Sequence, residues 1–113
     1  MRLVEDNCVR PKRTDQGPAP KAIAELSQQV PEWKIVDHDG TLHLQRTYEF
    51  GDFGSAMDFA AKVGASADEQ DHHPKITVEW GSVLVEWWTH ATGDLHRNDF
   101  IMAARSDRLF SAN

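Results

Sequence analysis

The segment "EWKIVDHDGTLHLQRTY", Glu32 to Tyr48, does most to limit what this chain can fold into. Two alternating stretches flank Asp39-Gly40, the dipeptide favoured in two-residue hairpin turns whose central residues need positive φ. Closing the chain there sets Trp33 opposite Arg46, Ile35 opposite Leu44 and Asp37 opposite Leu42. One sheet face then carries Trp33, Ile35, Leu42 and Leu44, while Lys34, Val36, His43 and Gln45 point the other way. Such a half-buried antiparallel hairpin needs a cover for its apolar face.

Segments with helical period supply it. Upstream, "PKAIAELSQQV" spaces Ile23, Leu26 and Val30 on one side of a helix that starts at Pro20 and is ended by Pro31. Downstream, Phe53, Ala56, Met57, Ala60 and Val63 form a second stripe, with Asp52 as its N-cap. "KITVEW" and "VLVEWW" then alternate about Gly81-Ser82, and "NDFIMAARSDRLF" closes the chain as a third helix. The order α-β-β-α-β-β-α predicts an α+β fold: a single-domain two-layer sandwich, with a four-stranded antiparallel sheet and helices on one face. Residues 1–17, which include "RPKRTDQGP", read as an irregular lead-in to a domain over 18–113.

A chain of 113 residues suits one domain with a real core. The net charge of −6, with basic residues scattered apart from Arg10 to Arg13, argues against direct nucleic acid binding, which needs a concentrated basic face. No apolar run reaches the length of a membrane span, and charges and prolines interrupt every short apolar patch near the start. The expected location is therefore cytoplasmic. Cys8 is the single cysteine, so neither an intrachain disulfide nor a cysteine-based zinc site is expected.

Four of the six histidines lie in "DEQDHHPKITVEWGSVLVEWWTHATGDLHRND", Asp68 to Asp99. With Gly81-Ser82 as a two-residue turn, His73 faces His90 on the more polar side of the sheet, their Cβ atoms about 5 Å apart if the ladder extends that far. His72 begins on the opposite face. Pro74 disfavours helix at His73, and a twist at the strand's entrance brings His72 round the edge to the same pocket. Trp87 and Trp88 point to opposite faces, one to the core and one to the open side near His90. Asp68, Glu69 and Asp71 make an acidic approach to His72, or simply an acidic helix end.

Paired imidazoles suit proton transfer, because an ordinary pKa near 6.5 leaves both protonation states populated at neutral pH. Isolated histidines at strand ends are commonly polar filler, and three imidazoles also suit zinc or iron. Adjacent histidines in an extended strand do not readily chelate one ion, so no metal is expected here.

The stretch "DHHP", a strand-turn-strand, then "TH" and an aspartate nine residues on resemble the signature of the pterin-4a-carbinolamine dehydratase family. The resemblance extends to Cys8, "GPAP", "PEW", "YEFGDFGSAMDF" and "NDFIMAARSD". It implies the fold reached above from periodicity and a dehydration: 4a-hydroxytetrahydropterin loses water to give quinonoid dihydropterin, in tetrahydrobiopterin recycling. An acid must protonate the departing hydroxyl and a base must take the N5 proton, with no cofactor, since the pterin is the substrate.

Carried over by position, His72, His73 and His90 are the catalytic group. Pro74, Thr89, Ala91, Thr92 and Asp99 fall in the substrate site. Trp33 is either a wall of that site, stacked on the pterin, or core. Asp99 has a second reading as the third helical residue after an N-cap at His96, where the family usually has serine or threonine; Asp94, in place of the family's usual glycine, is the rival cap. The resemblance also implies a functional link to an aromatic amino acid hydroxylase and assembly as a homodimer or homotetramer. A different class of function, a protein-interaction module acting as a dimerisation cofactor or assembly factor, is also known on this fold.

Overall fold

The computed structural model describes residues 2–13, 15, 17–92 and 94–112. Three helices, α1 (Pro20–Gln28), α2 (Phe53–Gln70) and α3 (Arg97–Ser111), accompany strands β1 (Lys34–His38), β2 (Thr41–Glu49), β3 (Lys75–Glu79) and β4 (Ser82–Trp87). The strands form one antiparallel sheet in the order β1-β2-β4-β3. The element order and the α+β class are those predicted. Leu44, Tyr48, Val83, Val85 and Trp87 on the covered face pack with Phe59 and Val63 of α2 and Phe100, Ile101 and Met102 of α3.

The first hairpin has the predicted register, with Ile35 opposite Leu44 and Asp37 opposite Leu42. Asp39 and Gly40 adopt φ of 53° and 89°, the positive values that made the dipeptide informative. The second hairpin differs. Its turn is Trp80-Gly81, so Lys75 pairs with Glu86 and Glu79 with Ser82, two residues away from the predicted register. Strand β2 is the reason: Glu49 pairs with Ser82, and the Phe50 amide donates to the Gly81 carbonyl at 2.9 Å, drawing Ser82 into the ladder. A two-residue slip preserves the faces, so the side-chain placement survives the error.

The helical stripe of α2 is also different in detail. Ala56, Phe59, Val63 and Ala67 are buried, whereas Phe53 and Met57 are exposed. Helix α1 ends at Gln28 rather than at Pro31, while Leu26 and Val30 still reach the core. The lead-in packs tightly: Leu3 is fully buried, and Val9 exchanges backbone hydrogen bonds with the Asn98 side chain at 3.0 and 2.6 Å. Cys8 is half-buried, and burial pushes its thiol pKa up to about 11.

Candidate active site

The histidines are aimed by the end of α2. Asp71, at the helix C-cap, takes a left-handed conformation with φ 51° and ψ 44°, and the His72 amide reaches back to the Ala67 carbonyl at 3.1 Å. This reversal turns His72 inward. Pro74 then prevents helix from resuming at His73 and starts the chain toward β3.

His72 is buried, and its ring lies nearly parallel to that of Trp87, 9° apart with centroids at 5.9 Å. Its Nε2 meets Asp99 Oδ1 at 2.7 Å. Asp99 is fully buried at the first turn of α3, and its other oxygen accepts from the Thr89 hydroxyl at 2.9 Å and the His96 amide at 2.8 Å. The His96 Nδ1 accepts from the Asn98 amide at 3.0 Å, completing a capping box. Asp99 therefore caps α3 and orients His72. His96, not Asp94, is the N-cap, and Asp94 instead accepts from the Leu95 amide.

A carboxylate only accepts hydrogen bonds, so an ionised Asp99 holds His72 with its proton on Nε2 and the lone pair on Nδ1. The Trp87 ring stacked beside it fixes the plane of the imidazole. Together these contacts fit His72 to gain and return a proton.

The other two histidines are exposed. His73 Nε2 meets Asp68 Oδ1 at 2.9 Å between two solvent-facing side chains, a contact worth little to stability. His90 sits edge-on to Trp88, with ring centroids 5.2 Å apart. A cleft of about 370 Å³ is lined by His72, His73, Pro74, Trp88, Thr89, His90 and Ala91, with Pro11 and Asp71. The strand ladder ends at Lys75 and Glu86, so His73 and His90 are not a ladder pair, although both line this cleft.

Not every expected residue is in the lining. The Thr92 hydroxyl turns back onto the Thr89 and Asp94 carbonyls, at 3.4 and 3.2 Å. Asp99 stands behind His72 and Thr89. Trp33 belongs to the core, where its indole N–H donates to Asp107 Oδ1 at 2.9 Å and its ring meets Tyr48 edge-on. Arg46 and Tyr48 donate to that same oxygen at 2.8 and 2.6 Å. Pro11, from the lead-in, lines the cleft although no periodic pattern marks it, and Asp71 and Trp88 join the lining beside the expected residues. A larger concavity, about 740 Å³ along α3 by Arg2, Gln29 and Asp107, holds no histidine. Chemistry, not size, selects the histidine cleft.

Comparison with known proteins identifies the family. The family model described as "Pterin 4 alpha carbinolamine dehydratase" matches residues 18–109. A protein of Chlorobium luteolum, provisionally named a pterin-4-alpha-carbinolamine dehydratase, is 53% identical over 92 residues, 81% of each chain. A similarly named protein of Gloeobacter violaceus is 47% identical over 111 residues, covering 96% of this chain and 94% of its own. Among solved structures, a "transcriptional coactivator/pterin dehydratase" from Brucella melitensis superposes with a TM-score of 0.75 at 26% identity, covering 83% of this chain and 98% of that one. A "pterin dehydratase-like protein" described as a RuBisCO assembly factor in the alpha-carboxysome has the same fold, with a TM-score of 0.59 at 22% identity over 69% of this chain and 88% of its own. The chain belongs to the pterin 4 alpha carbinolamine dehydratase family.

Proposed function

We propose that this protein is a 4a-hydroxytetrahydropterin dehydratase that works by histidine acid/base catalysis. The observation that carries the reading is the convergence of His72, His73 and His90 on one cleft in a member of this family. His72 is the base: its Nδ1 lone pair takes the N5 proton of the pterin while Asp99 and Trp87 hold the ring in place. His73 or His90, exposed and able to exchange protons with water, protonates the 4a-hydroxyl. The C4a–O bond breaks, water leaves, and the N5 electron pair closes the C4a–N5 double bond of quinonoid dihydropterin. Trp88 and Ala91 give the flat ring an apolar wall. The role is recycling of a pterin used by an aromatic amino acid hydroxylase, in the cytoplasm. The protein works as a homo-oligomer, a reading that the two sheet edges, β1 and β3, support.

The test is the rate of 4a-hydroxytetrahydropterin dehydration by the purified protein. Acceleration over buffer that falls by about 10² or more in His72→Ala or His90→Ala supports the reading. A folded protein that gives no acceleration refutes it. A second reading, an interaction module, draws on the coactivator half of the Brucella melitensis protein's description. It is favoured if an inactive protein co-purifies from its host with a stoichiometric partner.

A further inference from the structure

The open face of the sheet carries a second cluster, distinct from the cleft. His38 ends β1, His43 lies on β2 and Glu86 on β4. Val36 pairs with His43 and Gln45 with Glu86, so all three side chains project from the same face of adjacent strands. One ligand atom from each lies within 4.8 Å of the other two.

Their spacing suits a shared ion better than mutual hydrogen bonds. Glu86 Oε1 is 3.3 Å from His38 Nε2 and 3.6 Å from His43 Nδ1, longer than the usual charge-assisted bond. Bonds of about 2.0–2.1 Å to a tetrahedral ion place its donors roughly 3.3–3.4 Å apart. Two of the three separations already approach that value. Glu86 is only 4% exposed, an expensive position for a carboxylate whose lysine neighbour, Lys75 Nζ, stands 4.0 Å away on a solvent-facing side chain. Among the described residues, His43 Nδ1 is buried without a hydrogen-bond partner. His38 is half-exposed and leaves a side of the cluster open to water.

We propose that His38, His43 and Glu86 bind one divalent transition-metal ion of the zinc class, with water completing four-coordination. The His43 ring is stacked on Trp88 at 3.9 Å and 1°, and Trp88 also lines the histidine cleft. The ion would therefore tie three strands together beside the wall of that cleft, without taking part in the dehydration.

The experiment is calorimetric titration of zinc into tag-free, chelator-treated full-length protein. The expected result is saturable binding of one ion per chain, weakened at least tenfold in His38→Gln and in Glu86→Gln and unchanged in His90→Ala. Unfolding curves recorded without zinc verify that each variant is folded. If Glu86→Gln does not fold, the exposed His38 position decides alone. Absence of saturable binding, binding indifferent to His38→Gln, or binding lost in His90→Ala overturns the proposal. These outcomes do not depend on whether the protein dehydrates a pterin.

Discussion

Asp99→Asn separates the two jobs of Asp99 with the loss of one charge. In the wild type the buried carboxylate receives hydrogen bonds at 2.7 Å from His72, 2.9 Å from Thr89 and 2.8 Å from His96. Asparagine has the same shape but one acceptor oxygen. Oriented to keep the Thr89 and His96 donors, it presents its NH₂ to His72 Nε2, which must then accept. The imidazole proton moves to Nδ1, and the lone pair proposed to take the N5 proton is lost. One charge-assisted bond is removed, worth about 1.5–3 kcal/mol. For a domain of this length that lowers Tm by roughly 8 °C, leaving the protein folded at 25 °C. The dehydration rate should fall by about 10²-fold or more, the effect of a mis-set catalytic tautomer, mainly through kcat. Thermal unfolding and steady-state dehydration kinetics on the same preparation provide the two readouts. A folded Asp99→Asn protein with wild-type kcat refutes the role given to the His72–Asp99 pair.

Three further outcomes follow from other parts of the fold. Trp33→Phe removes the indole hydrogen bond to Asp107 and some core volume, so stability should fall by about 1–3 kcal/mol with the rate constant of the remaining folded protein within roughly twofold; a large rate loss without destabilisation would restore Trp33 to the substrate site. Burial pushes the Cys8 pKa from 9.0 up to about 11, so alkylation at pH 8 should run roughly 100-fold slower in the folded chain than in denaturant, and equal rates would contradict its environment. Burial, aided by the nearby His38 and opposed by Glu86, holds the His43 pKa below its ordinary 6.5. Its contribution to stability is therefore complete above about pH 6.5 and is lost as pH falls through the lower folded value. Removing metal and substituting His43→Gln should flatten the fall in Tm across that window, while parallel curves for the two proteins would show that another group controls it.

Much of this fold was legible because local chemistry and global topology agree. Asp39-Gly40 has one favoured turn, and that turn fixed both register and faces of the first hairpin. Gly81 carried less information. Its φ is not positive, and the turn at Trp80-Gly81 is set by pairing with Glu49 and Phe50 from a distant strand, which periodicity within the hairpin does not encode. The α2 stripe drifted for a related reason: Phe53 and Phe59 are equally apolar, and only the packing of α2 against the sheet and α3 decides that Phe59 goes inside.

The site was legible to a similar depth. Pro74 marked where the helix must stop; the facing of His73 and His90 was read from a turn two residues off, and because such a slip preserves the faces the three histidines still line one cleft. The lead-in was not, because Pro11 reaches the cleft through contacts such as Val9 with Asn98, 89 residues apart. Nor was the cluster of His38, His43 and Glu86, which exists only once three strands are placed in register.

The most direct test of the central claim is a crystal structure of the protein with a reduced pterin bound. The ring should lie in the cleft between His72, His73 and His90, with the His72 Nδ1 within about 2.6–3.2 Å of N5 and an exposed imidazole within the same reach of the 4a-oxygen position. A pterin bound elsewhere, such as the concavity beside Asp107, or bound in the cleft with no imidazole in reach of N5 or the 4a-oxygen, would contradict the account.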